Sequence, residues 1–150
     1  GATNVVITDV IGFRLDKAEE MGASEAINVE NESIKDSGYE FDVVIQTAGT
    51  AGTYRQAIEL TRRGGKVTQI GHPSVDEVSI DPNSVITKEM DMLGSFRYAN
   101  EYAKSLSLIE SGKVELDPMI SKRFSFEEVE EALRYPRNNP ESCIKAMVEL

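Results

Sequence analysis

Three places in this 150-residue sequence combine residue types and spacing that chemistry can use. The first is Asp9, which ends the β-branched run Val5-Val6-Ile7-Thr8 and precedes a one-faced helical segment carrying Arg14. A carboxylate at the carboxyl end of an apolar strand can accept hydrogen bonds from both hydroxyls of a ribose, and it repels a 2′-phosphate. The same aspartate can equally cap the helix that follows it. The second place is His72, which follows the carboxyl end of an apolar run over 66–71. Ligands of open parallel sheets gather at such strand ends. His72 is the only histidine, and contact with solvent explains it as well as acid–base chemistry does. The third place is Phe96-Arg97-Tyr98, where an arginine between two aromatics at a strand end points to a ligand contact, a structural carboxylate partner being the alternative. The lone thiol, Cys143, reads as a half-buried, inert residue near a terminal strand.

These residues need elements to hold them. Continuous apolar runs predict buried strands over 4–9, 41–46, 66–71 and 91–96, with a weaker one over 25–29. Leu15, Ala18 and Met21 share one helical face, and Gly22 stands where a glycine should stop that helix. Ser37-Gly38 lies in a polar stretch that reads as a degraded helix. A second helix is expected from the glycines at 49 and 52 through about Arg63, closed by Gly64-Gly65, with Arg62-Arg63 opposing its dipole. A short helix follows Pro82, and Tyr102, Leu106 and Ile109 predict another that stops at Gly112. Ser125-Phe126-Glu127-Glu128 is a capping box. The helix it opens is expected to end before Pro136, with a turn over 136–140. Ile144, Ala146, Val148 and Leu150 alternate as one face of a last strand. Strands alternating with helices across short glycine-marked connections imply an α/β fold, a doubly wound parallel sheet covered on both faces.

A dinucleotide sheet normally carries G-x-G-x-x-G about 20 residues before its ribose acid. Only eight residues precede Asp9, so neither that turn nor its strand is expected here. Gly49 and Gly52 form a GxxG, but it follows a later strand. In the strand order 3-2-1-4-5-6 the absent strand is central, so the strands at Val5 and Ile27 should separate from those at Val43 and Val67. Each side should then bear an unpaired apolar edge.

The order of these segments resembles the medium-chain zinc alcohol dehydrogenases. The resemblance rests on Val6-Ile7-Thr8-Asp9 with Arg14, Gln46-Thr47-Ala48-Gly49, Arg63-Gly64-Gly65-Lys66-Val67 and Ile70-Gly71. Within that family, Gly94-Ser95-Phe96-Arg97-Tyr98-Ala99-Asn100 is similar to the G-x-F-R-Y-x-N stretch of sorbitol and other polyol dehydrogenases. Ile109 to Val114 and Met119 to Glu127 continue the likeness. The resemblance implies a partial dinucleotide-binding domain over 1–110 and a tail over 111–150 that belongs with the catalytic domain. It implies NAD-linked, zinc-dependent oxidation of a secondary alcohol of a polyol to a ketone. By position, Asp9 would hold the adenosine ribose and Arg14 would flank the adenine. Thr47 and Gly49 would line the adenosine side, and Ile70, Gly71 and His72 would run beneath the nicotinamide half. Phe96 would approach the carboxamide through its backbone, and Arg97 and Tyr98 would border the polyol. The family's zinc ligands belong to an amino-terminal domain, and one cysteine and one histidine cannot supply them here. No catalytic residue is therefore expected among these residues, and a homo-oligomer, dimer or tetramer, is implied for the whole protein.

Composition sets the outer bounds. A formal net charge of −10 argues against a nucleic-acid partner, which needs a cationic surface. No apolar run approaches the roughly 20 residues that cross a bilayer, so no membrane partner is expected. A single cysteine fits a reducing compartment such as the cytoplasm. The competing reading is a cofactor-binding or assembly module without activity of its own. A methyltransferase, which also places an acid at an equivalent strand end, leaves Phe96-Arg97-Tyr98 unexplained.

Overall fold

Short β-branched runs, each followed by an amphipathic helix, build four parallel β-α-β crossovers in the computed structural model, which describes residues 1–98 and 100–150. A parallel pair cannot be joined by a tight turn, so every crossover needs its helix. The crossovers fall into two units, one formed by 1–32 with 100–150 and the other by 33–99.

In the first unit, β1 (Val6–Asp9), α1 (Gly12–Glu20) and β2 (Glu25–Asn28) form one crossover. Leu15 on α1 and Ile27 on β2 are buried. Gly22, at φ +97°, stops the helix as expected, with its amide and that of Ala23 donating back to Glu19 and Ala18. The second crossover runs from β6 (Ile120–Phe124) through α5 (Val129–Asn138) to β7 (Lys145–Val148). Phe124 is buried and meets the Tyr135 ring edge-on at 5.3 Å. The Ser125 capping box forms, the Ser125 amide donating to Glu128 Oε2 at 2.8 Å, although a single 3₁₀ turn precedes α5. Hydrogen bonding to Ser125 holds the Glu128 carboxyl below its usual range. Pro136 does not end this helix as expected; it lies inside α5. The ring removes one donor only two residues before the end, and the Asn139 amide and side chain both close the last turn on the Tyr135 carbonyl. The helix α4 (Tyr102–Glu110) also belongs to this unit, with Tyr102, Leu106 and Ile109 all exposed. Cys143 is buried rather than half-buried, because it sits between α5 and the start of β7 at 3% exposure.

In the second unit, β3 (Phe41–Gln46), β4 (Thr61–Gln69) and β5 (Asp91–Gly94) form a parallel sheet in that order. The connecting helices are α2 (Ala51–Leu60) and α3 (Pro82–Lys88). Ala57, Ile58, Val67 and Met90 form the core, with Val44, Ile80 and Val85 packed against it. Burying Val67 completely contributes roughly 1.5–3 kcal/mol. The expected degraded helix is a 3₁₀ turn over Ile34–Ser37.

Two expectations fail at the α2–β4 junction. The helix ends at Leu60, not near Arg63, and the strand starts at Thr61, not Lys66. Gly64-Gly65 lies within the strand as an irregularity: Thr61 pairs with Phe41, but Lys66 pairs with Val43. Glycine serves here because a Cβ on Gly65 would come within 3.0 Å of the Asp42 carbonyl oxygen. Nor do Arg62 and Arg63 oppose the α2 dipole. Arg62 Nε bonds Asp42 Oδ1 at 2.7 Å, and Arg63 Nη1 bonds the Thr87 carbonyl at the end of α3 at 2.7 Å. Lys88 caps α2 instead, its Nζ lying 2.7–3.0 Å from the carbonyls of Ile58, Glu59 and Thr61.

The expected separation of strands is present. Among the described residues, the two-stranded β1–β2 sheet is not joined to the β3–β4–β5 sheet, and β1 and β3 each pair on one side only. Val43 and Ile45 on β3 are 54% and 60% exposed, so within its unit this sheet is covered on one face and not on both. Among the described residues, no helix is long and apolar enough to cross a membrane.

Candidate functional site

The candidate residues occupy strand ends in both units. In the first, Asp9 closes β1 and turns the chain into α1. Its Oδ1 accepts from the amides of Val10 at 2.8 Å and Ile11 at 2.9 Å, which builds the turn ahead of α1. The helix starts at Gly12 with Ile11 at its N-cap and has no side-chain cap, so Asp9 does not cap it. Among the described residues Asp9 Oδ2 meets only Arg14 Nη1, at 3.5 Å, and the aspartate side chain keeps 26% of its surface. One oxygen builds the turn while the other stays available. Asn28, the register partner of Asp9 on β2, donates from Nδ2 to the Val10 carbonyl at 3.2 Å and fixes the turn from the far side.

In the second unit all three strands are parallel, so the turns after Gln46, Gln69 and Gly94 leave the sheet at one end. The first two turns interlock through the backbone. Ile70 and Gly71 both donate to the Gln46 carbonyl, at 2.9 and 3.0 Å. The Tyr54 hydroxyl, from α2, donates to the Gly71 carbonyl at 2.5 Å. Gly49 has φ +69°, and a Cβ there would collide with the His72 carbonyl. A Cβ on Gly71 would stand 2.5 Å from the Gly49 nitrogen and 2.6 Å from the Thr47 carbonyl oxygen. The contact leaves no volume for any side chain at either glycine.

The third turn is tied to the same platform, the Ser95 amide donating to the Gln69 carbonyl at 2.9 Å. The His72 and Phe96 rings meet edge-on at 5.2 Å, and the Arg97 guanidinium lies 4.8 Å over the Phe96 ring. Among the described residues, Arg97 thus meets a ring rather than the structural carboxylate that was its alternative. Its φ of +59° is the left-handed conformation, uncommon for a residue with a Cβ. Phe96 and Tyr98 are about two-thirds exposed, and Thr47, Ile70 and His72 are exposed as well. The structure therefore brings Thr47, Gly49, Ile70, Gly71, His72, Phe96, Arg97 and Tyr98 to one end of one sheet, and holds Asp9 with Arg14 in the other unit.

Sequence reasoning missed the residues beneath this platform. Gln46 is 4% exposed, and its Nε2 donates to Thr53 Oγ1 at 2.6 Å. Thr50 and Thr53 form a reciprocal cap at the start of α2. The Thr-x-x-Thr spacing was a readable signal; nothing in the sequence marked Tyr54. No group of three or more His, Cys, Asp or Glu among the described residues could hold a metal ion. His72 is committed to Phe96 and Cys143 is buried, so these residues do not fit a zinc site.

Comparison with known proteins agrees with this geometry. A family model described as zinc-binding dehydrogenase matches residues 1–111. Sorbitol dehydrogenase of Bacillus subtilis (strain 168) is 33% identical over 156 residues, covering 99% of this chain and 44% of that protein. L-threonine 3-dehydrogenase of Marinomonas sp. (strain MWYL1) is 38% identical over 140 residues, covering 87% of this chain and 40% of that protein. A candidate zinc-binding dehydrogenase from Sinorhizobium meliloti 1021, bound to NADP, superposes with a TM-score of 0.86 at 28% identity. That match covers 100% of this chain and 46% of the other. The chain spans less than half the length of the relatives it matches. With its parallel crossovers and strand-end turns, it belongs to the zinc-binding dehydrogenases, the medium-chain alcohol dehydrogenase family that its sequence resembles.

Proposed function

We propose that these residues form the cofactor-holding part of an NAD-dependent dehydrogenase that oxidises a secondary alcohol of a polyol to a ketone. The observation that carries the reading is the interlocked pair of turns at Gly49 and Gly71, a strand-end platform that admits no side chain of its own and is flanked by the exposed Thr47, Ile70 and His72. Asp9 supports NAD over NADP: its less engaged oxygen accepts from a ribose hydroxyl and repels a 2′-phosphate. Arg14 flanks the adenine. Thr47 and Gly49 line the adenosine side, and Ile70, Gly71 and His72 run beneath the nicotinamide half. Phe96 offers backbone to the carboxamide, while Arg97 and Tyr98 border the substrate. The cofactor, when bound, supplies the hydride acceptor. What this chain contributes is binding, orientation and exclusion of water, with no catalytic group of its own. Residues 1–110 are the cofactor-domain part and 111–150 go with the catalytic domain, a division that the family match ending at residue 111 supports.

The polyol rests on Phe96-Arg97-Tyr98 and on the likeness to a sorbitol dehydrogenase. The zinc ligands lie outside these residues. In the whole protein we expect a homo-oligomer, in the cytoplasm, with neither nucleic acid nor membrane as partner. The test is steady-state NAD reduction by the complete protein with a panel of sugar alcohols and with L-threonine. Turnover confined to polyols and lost to a zinc chelator supports the reading. Turnover of threonine alone, or of no alcohol, overturns the substrate claim. NAD binding without turnover of any alcohol would favour the binding-module reading.

A further inference from the structure

Beneath the interlocked turns lies a polar cluster that the cofactor reading leaves unused. Gln46 and Gln69 are register partners on adjacent parallel strands. Their side chains therefore share one face of the sheet, the face that α2 covers. Gln46 Oε1 and both terminal atoms of Gln69 are buried, and among the described residues none of the three has a hydrogen-bond partner. A buried amide without partners costs about 1–3 kcal/mol per group, so a native protein seldom leaves three such atoms unmatched. Gln46 Nε2 is already committed to Thr53 Oγ1, so Gln46 presents only an acceptor to its neighbour. Of the two ends of Gln69, an unmatched donor is the less tolerated. Adjacent strands lie about 4.8 Å apart, within reach of a side-chain amide rotation.

We propose that Gln46 and Gln69 are positioning residues whose carboxamides close on each other, Gln69 Nε2 donating to Gln46 Oε1, and so lock the two turns above them. The proposal rests on the reading of those turns as a cofactor platform. The linkage is short. The Gln46 carbonyl accepts from Ile70 and Gly71, the Gln69 carbonyl accepts from Ser95, and Thr53 ties Gln46 to the cap of α2. One amide pair thus joins three turns and a helix start, without touching the ligand.

The test is hydrogen exchange at the Ile70 and Gly71 amides of the complete protein, read beside NADH affinity and kcat. Gln69→Leu strands the Gln46 acceptor, so protection should fall about tenfold and the NADH Kd rise by a similar factor. The value of kcat at saturating cofactor should not change. Gln69→Glu sets two acceptors face to face and should do at least as much damage. Gln46→Glu keeps an acceptor for Gln69 but loses the donor to Thr53 Oγ1 and buries a carboxylate, so it too should lose protection. In Gln46→Leu/Gln69→Leu both partners are apolar, and protection should return in part, the bond to Thr53 Oγ1 remaining lost. Unchanged protection in Gln69→Leu, or single-variant losses that simply add in the double variant, would overturn the pair. If the wild-type protein binds no nicotinamide nucleotide, the cofactor reading fails, and the pair is decided by the exchange data alone.

Discussion

The Asp9 turn and the paired turns at Gly49 and Gly71 are all strand-end loops, yet they are built by opposite means. At Asp9 a side chain does the work: one carboxylate oxygen gathers two amides, and the other meets Arg14 at a loose 3.5 Å. At Gly49 and Gly71 backbone packs on backbone, and the absence of side chains is the structural requirement. A turn made by a charge can be retuned by one substitution, because the charge discriminates while the geometry survives. A turn made by close packing has no such freedom, so its fate is all or nothing. Under the proposed function the two turns take different tasks in the same way, discrimination at Asp9 and a rigid backbone surface at the glycines.

Substitution at the packed turns should have the largest effect. Gly49→Ala forces a Cβ into the His72 carbonyl at a positive φ, which together costs about 2–4 kcal/mol. Thermal unfolding of the complete protein should register that loss, and cofactor affinity should fall with it. Next comes the support at the other end of α2. Lys88→Met removes the donor shared by three carbonyls and should cost about 1.5–3 kcal/mol in denaturant unfolding, with NADH affinity nearly unchanged. A matching loss of affinity would mean that the platform is not independent of the helix end. Smaller again is Asp9→Ala, which loses the two turn hydrogen bonds and should cost about 1 kcal/mol, whereas Asp9→Asn keeps an acceptor and should cost less. Equal costs would show that charge, not hydrogen bonding, builds the turn.

Much of this was legible in the sequence because periodicity and glycine placement report backbone geometry directly. The strand over Phe41–Gln46 and the stop at Gly22 follow from local pattern, and the separation of β1–β2 from β3–β4–β5 follows from the strand order of a dinucleotide sheet. The α2–β4 junction was not legible, because Gly64-Gly65 serves a strand irregularity as naturally as a helix stop. The pairing with β3 decides between them, Thr61 with Phe41 and Lys66 with Val43, and that partner strand is remote in sequence. Pro136 misled for a related reason: near a helix end its missing donor costs a single bond. At the site, the strand-end residues could be named from spacing and resemblance, but Gln46, Gln69 and Tyr54 could not. Their roles arise from register and from a helix packed across the sheet.

The smallest effect belongs to the first unit. Hydrogen bonding to the Ser125 amide and hydroxyl lowers the Glu128 pKa when folded, so its contribution is complete above the unfolded value. That contribution is lost as pH falls through the lowered folded value. Exchange at the Ser125 amide should accelerate over that acidic window relative to its intrinsic rate, and Glu128→Ala should abolish the dependence.

The central claim is that Asp9 chooses the nucleotide while the glycine platform receives it, and calorimetric titration of the complete protein with NAD and NADP tests it most directly. Wild-type protein should bind NAD more tightly. Asp9→Asn should leave the fold intact and reduce that preference by roughly ten- to a hundredfold, as expected for losing one charge-dependent contact of about 1.5–3 kcal/mol. Tighter binding of NADP by the wild type, or a preference that Asp9→Asn leaves untouched, would contradict the account.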